Sequence, residues 1–172
     1  STATMTTDKI VLGNGHRFTA GGNTSKNYGI NVRNAKVVLN DLVMENCGGV
    51  NVWYEGSQAV INNCDIKVKY SGSSRHLFYA AAGGEIVVNS GNFEITTTRC
   101  HYLCDDVDGR IYVRGGTFAD MVSSYSPVNG AGTVEITGGR FQVNVANYKF
   151  DPTSWVPAAT HKVERVGNYM EV

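Results

Sequence analysis

Proline and charge are both scarce in this chain. Three prolines in 172 residues exclude a proline-rich linker. Only 17% of residues are charged, 15 Lys and Arg against 15 Asp and Glu, and neither sign forms a long run. Nucleic acid is therefore not an expected partner, because phosphate binding needs a concentrated basic surface. No apolar run approaches the ~20 residues that cross a bilayer as a helix, so membrane insertion is not expected. The opening STATMTTDK lacks the charged-then-apolar layout of a secretory signal. It starts on Ser1 rather than Met, which leads us to expect a mature product or a piece of a longer protein.

Cysteine is limited to Cys47, Cys64, Cys100 and Cys104. The even count permits two disulfides, but a chain this long and apolar does not need them. Buried free thiols, acting as small apolar fillers, are the expectation. Glycine, by contrast, is plentiful: 20 residues, with 42% of the chain hydrophobic. That composition describes a turn-rich, well-packed β domain. The length suits one domain, 1–172, able to bury roughly 70% of its unfolded surface.

Five copies of one pattern organise the chain. Each is a short apolar strand, an Asn or Gly turn, and a second strand ending on a large apolar residue. The copies begin at Lys36, Gln58, Glu85, Arg110 and Thr133, spaced by 22, 27, 25 and 23 residues. A period of that size built from strand and turn alone marks a β-solenoid, in which one unit cannot bury its apolar face but a stack can. The segment KIVLGNGHRF at 9–18 reads as an earlier rung with one extra turn residue.

Counting each repeat start as zero, positions one and three are apolar in every copy, from Val37 and Leu39 to Val134 and Ile136. Alternation points them inward. Position four reads Asn40, Asn62, Asn89, Arg114, Thr137, and position eight reads Met44, Ile66, Phe93, Phe118, Phe141. The first column suggests a ladder of stacked Asn amides at a sharp turn, replaced in the last two rungs by Gly115-Gly116 and Gly138-Gly139, where positive φ makes the same bend. Counting back eight and six residues finds a third strand, with Tyr28 and Ile30, Val50 and Val52, Leu77 and Tyr79, Tyr102 and Cys104, and Tyr125 and Pro127 as its inward pairs. The variable turns fall around 70–76, 97–100 and 119–124.

This three-sided plan, with its Asn40–Asn62–Asn89 ladder, resembles the right-handed parallel β-helix of the pectate-lyase-like superfamily. The expected fold is all-β, about six rungs over 9–145, with a cap over 146–172. The cap is a hairpin turning near Gly167-Asn168, after a break at Phe150-Asp151-Pro152. The GG-x-F and FDPTxxV sequences and the ending V-x-x-x-G-x-Y-x-V resemble the tails of β-helix proteins from gut bacteria and their phages. That likeness implies an extracellular, cell-surface or virion setting.

Solvent-facing positions carry the functional signal. The second-strand face is mostly polar, whereas position two of the first strand is Val38, Val60, Val87, Tyr112, an apolar stripe. Such a stripe is expected to pack against something, either sister subunits, most simply in a trimer, or the rest of a longer chain. Plain strand propensity of Val is the alternative. The third-strand face, in this register, exposes Trp53, Phe78 and Leu103. With Arg75, His76 and His101, Trp53 and Phe78 suggest a sugar-binding groove, in which aromatic faces pack on pyranose rings and polar groups bond hydroxyls; an ordinary solvated turn is the other reading.

Cys104-Asp105-Asp106-Val107-Asp108-Gly109 concentrates carboxylates. Asp105 and Asp106 resemble the adjacent pair of pectin-hydrolysing β-helices, in which one carboxyl protonates the leaving oxygen and another activates water. The other motifs of those glycosidases are missing, and an Asp-rich turn explains the string as well. Cys100, His101 and Cys104 offer three zinc ligands without a fourth, so no metal and no cofactor are expected. The function expected is a non-catalytic structural or adhesive module that presents a rigid face to a glycan or to sister subunits. A polysaccharide-cleaving enzyme is the alternative.

Overall fold

The computed structural model describes residues 2–19, 29–69, 75–97, 100–119, 127–142 and 152–172. Three parallel sheets of six stacked strands wind into a β-solenoid of about five turns. Sheet A stacks Ala3–Met5, Ile30–Arg33, Val50–Trp53, Arg75–Ala81, Cys100–Asp105 and Val128–Gly130. Sheet B stacks Lys9–Leu12, Lys36–Asn40, Gln58–Asn62, Glu85–Val88, Arg110–Val113 and Thr133–Ile136. Sheet C stacks Arg17–Thr19, Val43–Cys47, Cys64–Val68, Gly91–Ile95, Thr117–Ala119 and Arg140–Gln142. From the second rung on, each sheet B strand begins at a repeat start, and the in-register pairs Val37–Ala59, Ala59–Ile86 and Ile86–Ile111 follow the sequence period.

The turn between sheets B and C explains the change of residues along the repeat. Position six reads Leu42, Cys64, Gly91, Gly116, Gly139 while position eight reads Met44, Ile66, Phe93, Phe118, Phe141. The two columns exchange volume. A Cβ on Gly116 would stand 2.7 Å from Phe93 Cε2, and one on Gly91 would stand 2.9 Å from Phe93 Cζ. Only glycine leaves room for a ring at position eight, and Gly116 also holds φ at 103°. The rings fill the core: Phe93 and Phe118 centroids lie 4.9 Å apart, and Phe118 and Phe141 stack at 4.6 Å. Each fully buried Phe stabilises the fold by about 1.5–3 kcal/mol.

Two registers differ from the sequence reading. In sheet A, Ile30, Val50, Phe78, Leu103 and Val128 are aligned, 6, 8, 7, 7 and 5 residues before their repeat starts. The turn from sheet A to sheet B varies in length, so a fixed backward count slips by one residue in the fourth and fifth rungs and by three in the sixth, where Val128 rather than Pro127 continues the inward column. A one-residue slip exchanges the two faces of a strand. Phe78 and Leu103 are therefore interior residues, both fully buried, and Tyr79 is half-buried in the outward column; Leu77, Tyr102 and Cys104 are buried all the same, at 3% exposure or less. Tyr28 and Tyr125 lie outside the described residues, as do most of the turn residues near 70–76, 97–100 and 119–124.

In the first rung, Lys9 pairs with Val37 and Arg17 with Val43. The turn there is two residues longer than in the next rung, not one. The shift turns Ile10 and Leu12 outward, where they are 68% and 58% exposed. At the other end, Glu164–Val166 and Tyr169–Glu171 form an antiparallel hairpin around Gly167, and its second strand pairs antiparallel with Arg140–Gln142. A 3-10 turn at Pro152–Trp155 precedes it, and Trp155, Val156 and Val172 close the core. Phe150 and Asp151 lie outside the described residues. The hairpin ends a sheet whose open edge would otherwise invite pairing.

Candidate functional site

The outward side of sheet A carries a continuous row of rings. Alternation along parallel strands puts Trp53 and Tyr79 diagonally on neighbouring strands, with centroids 5.0 Å apart. Tyr79 stacks on His76 at 4.8 Å, and His76 stacks on His101 of the next strand at 5.8 Å. All four rings are half-buried. The Arg33 guanidinium lies over the Trp53 ring at 5.7 Å, on the strand below. Tyr79 Oη donates to Asp106 Oδ2 at 3.1 Å, and Val107 N donates to Asp106 Oδ1 at 2.9 Å. A cation, an anion and two imidazoles thus frame an aromatic strip.

Of the residues assigned to this face from sequence, Trp53, His76 and His101 are brought together. Phe78 is not among them: it is fully buried and packs edge-on against Phe93 at 5.2 Å inside the core. The Arg75 backbone pairs with Cys100, and its side chain lies outside the described residues. Tyr79 and Arg33 belong to the row and were missed. Arg33 was hidden because it lies 20 residues before Trp53 while their repeat starts are 22 apart, so the backward count did not pair them; Tyr79 was hidden by the slipped register.

Asp105 and Asp106 do not form a working pair. Asp105 occupies the inward column with Val32, Val52 and Ala80, and it is 2% exposed. Burial pushes its carboxyl up to about 6, opposed by hydrogen bonds from the amides of Asp105 itself and Gly132. Asp106 sits at the solvent-facing turn, where Gly109 N donates to its carbonyl at 3.0 Å. One carboxyl is shut inside while the other faces water, so no substrate atom can lie between them.

Cys47, Cys64, Cys100 and Cys104 are buried and free. Burial raises Cys47 and Cys104 to about 11. A thiol held that high stays protonated and is a poor nucleophile or metal ligand. Among the described residues, no cluster of three or more His, Cys, Asp or Glu is placed to hold a metal ion. No helix there is long and apolar enough to cross a membrane.

A groove of about 470 Å³ lies on sheet C, lined by Arg17, Glu45, Asp65, Lys67, Asn92 and Glu94 among others. Its charges already satisfy one another from rung to rung: Arg17 pairs with Glu45 at 2.9 Å, Lys67 with Glu94 at 2.5 Å, and Asn92 Nδ2 donates to Asp65 Oδ1 at 2.7 Å. A ligand would have to displace those contacts. The sheet A row offers half-buried aromatic rings instead.

Fold and face together define a three-sided parallel β-solenoid with an aromatic outer strip. Beyond that class, comparison with known protein families, curated proteins and solved structures finds no match.

Proposed function

We propose that this chain is a non-catalytic β-solenoid module whose sheet A face binds a glycan. The observation that carries the reading is the unbroken row Trp53–Tyr79–His76–His101, flanked by Arg33 and Asp106. A packed row of half-buried rings along a rigid sheet offers its exposed apolar edges and outer faces to the C–H side of pyranose units, while the flanking polar groups bond hydroxyls. Rigidity matters because a pre-formed face loses little conformational entropy on binding. A cell surface, a virion or the extracellular space is where such a face would meet a polysaccharide, in line with the sequence likeness to phage and gut-bacterial β-helices.

Affinity electrophoresis tests this directly. In gels cast with soluble neutral or uronate polysaccharides, the native protein should be retarded by at least one of them, and Trp53→Ala should run freely. Unchanged migration of the wild type in every gel would remove the glycan reading. Release of new reducing ends by the wild type would replace it with the enzymatic one.

A further inference from the structure

In rungs two to five the turns from sheet A to sheet B each contain a residue in the left-handed region. Directly after the in-register residues Arg33, Trp53 and Ala81 come Asn34 at φ 52°, Tyr54 at φ 80° and Ala82 at φ 51°. Asn tolerates that conformation and glycine adopts it freely, but a bulky aromatic residue there is a genuine outlier. The turn leaves Tyr54 no relief. Its N–H donates to Ala81 O at 3.1 Å, and its carbonyl accepts from Ser57 N at 3.1 Å. Buried Ser57 is itself tied down, its Oγ accepting from Asn34 N at 2.8 Å. Gly83 of the next turn stacks so closely that a Cβ on it would meet Glu55 at 3.0 Å.

Little packing compensates for the strain, since Tyr54 is 43% exposed. Its neighbour in the chain is Trp53, the largest ring of the row. Two rungs further up, Val107 stands 63% exposed in the corresponding turn, just beyond Asp106. Strained residues that the surrounding structure over-determines gather at ligand clamps. The geometry points to Tyr54 as a ligand-contacting residue that extends the sheet A strip onto its turn wall. This rests on the glycan reading of that face. The ligand it fits is a sugar chain broad enough to touch both the strip and the wall, with a pyranose C–H face against the phenol ring.

Two readouts with opposite signs test it: urea denaturation, and retardation in the polysaccharide gel that retains the wild type. Tyr54→Asn should raise the denaturation midpoint, because Asn suits the backbone better. It should also weaken retention about tenfold, equivalent to ~1.4 kcal/mol. Tyr54→Phe should keep most of the retention. If Tyr54→Asn binds like the wild type while Trp53→Ala does not, the Tyr54 proposal fails and the strip stands. A lowered midpoint for Tyr54→Asn would show the ring to be a structural element and overturn the proposal as well. If the wild type is not retained by any polysaccharide, both readings fall together.

Discussion

Asn62 Nδ2 donates to Asn40 Oδ1 at 2.8 Å, one rung below, while Asn62 Oδ1 accepts from Asn89 Nδ2 at 2.8 Å. The middle amide therefore uses donor and acceptor together, at the bend where sheet B turns into sheet C. A second file runs beside it in the exposed turn, where Asn63 Nδ2 donates to Asp41 Oδ1 at 2.7 Å. The half-buried inner file carries more weight, because an amide left there without partners keeps its desolvation penalty. Asn62→Ala should cost about 1–3 kcal/mol. Asn63→Ala breaks an exposed contact and should cost less. Urea titrations of the two variants check the order, and equal midpoints would refute it.

Asp105 gives stability a pH dependence of known sign. Burial holds its carboxyl at about 6 in the folded chain, against the ordinary 3.8 of a free side chain. Between those values the folded state keeps a proton that the unfolded state has lost, so stability falls as pH rises from about 4 to about 6 and is level above. A shift of that size corresponds to a contribution on the order of 1–3 kcal/mol. Asp105→Asn should be less sensitive than the wild type to pH in that window. Subtracting its urea midpoints from those of the wild type isolates the carboxyl, and a difference independent of pH would show that the group is not shut inside.

Legibility followed turn length. The columns headed by Leu39, Asn40 and Met44 were readable because the B-to-C turn has the same length in rungs two to six, so one count serves all five copies. The A-to-B turn does not keep its length, and that alone misplaced Phe78, Leu103 and Tyr79. Lys9 was misread for a related reason: the longer first turn breaks the period at both ends of KIVLGNGHRF. Of the ring row, Trp53 was found as an aromatic at an outward position, and His76 and His101 because each stands at the same place before the third strand, on adjacent rungs. The strain at Tyr54 had no sequence signal, since φ depends on the turn the neighbouring rungs impose.

We expect the Val stripe on sheet B to support only weak self-association. Ile10 lengthens it to Ile10–Val38–Val60–Val87–Tyr112, in one column. On one side stand Gln58, Glu85 and Arg110, where Gln58 Nε2 donates to Glu85 Oε1 at 2.5 Å; on the other stands the Asn ladder. These flanks shield the column, and Val87 is only 5% exposed. One residue of width falls well short of the ~800 Å² per partner of a stable interface. Sedimentation should show monomer at micromolar concentration and association, most simply trimeric, only far above it. Ile10→Lys should abolish that association, and a tight oligomer unaffected by it would place the contact elsewhere.

The thiols offer a measure of how the solenoid opens. Cys64 and Cys100 are fully buried, while Cys47 and Cys104 are nearly so and are raised to about 11. Reaction needs the thiolate, and both burial and the raised pKa suppress it. In native buffer all four should react with an aromatic disulfide reagent only as fast as the chain opens locally. In urea above the transition all four should react at once. Because no pair is bridged, reductant should leave the denaturation midpoint unchanged. Opening free energy also differs between rungs, since ends with fewer stacked neighbours open first. Cys47, on the second rung and next to the end strand Arg17–Thr19, should therefore react before Cys64, which lies one rung further from that end. Mass-mapped labelling over time resolves the order, and uniform labelling of all four at one rate would instead describe a solenoid that opens as a single unit.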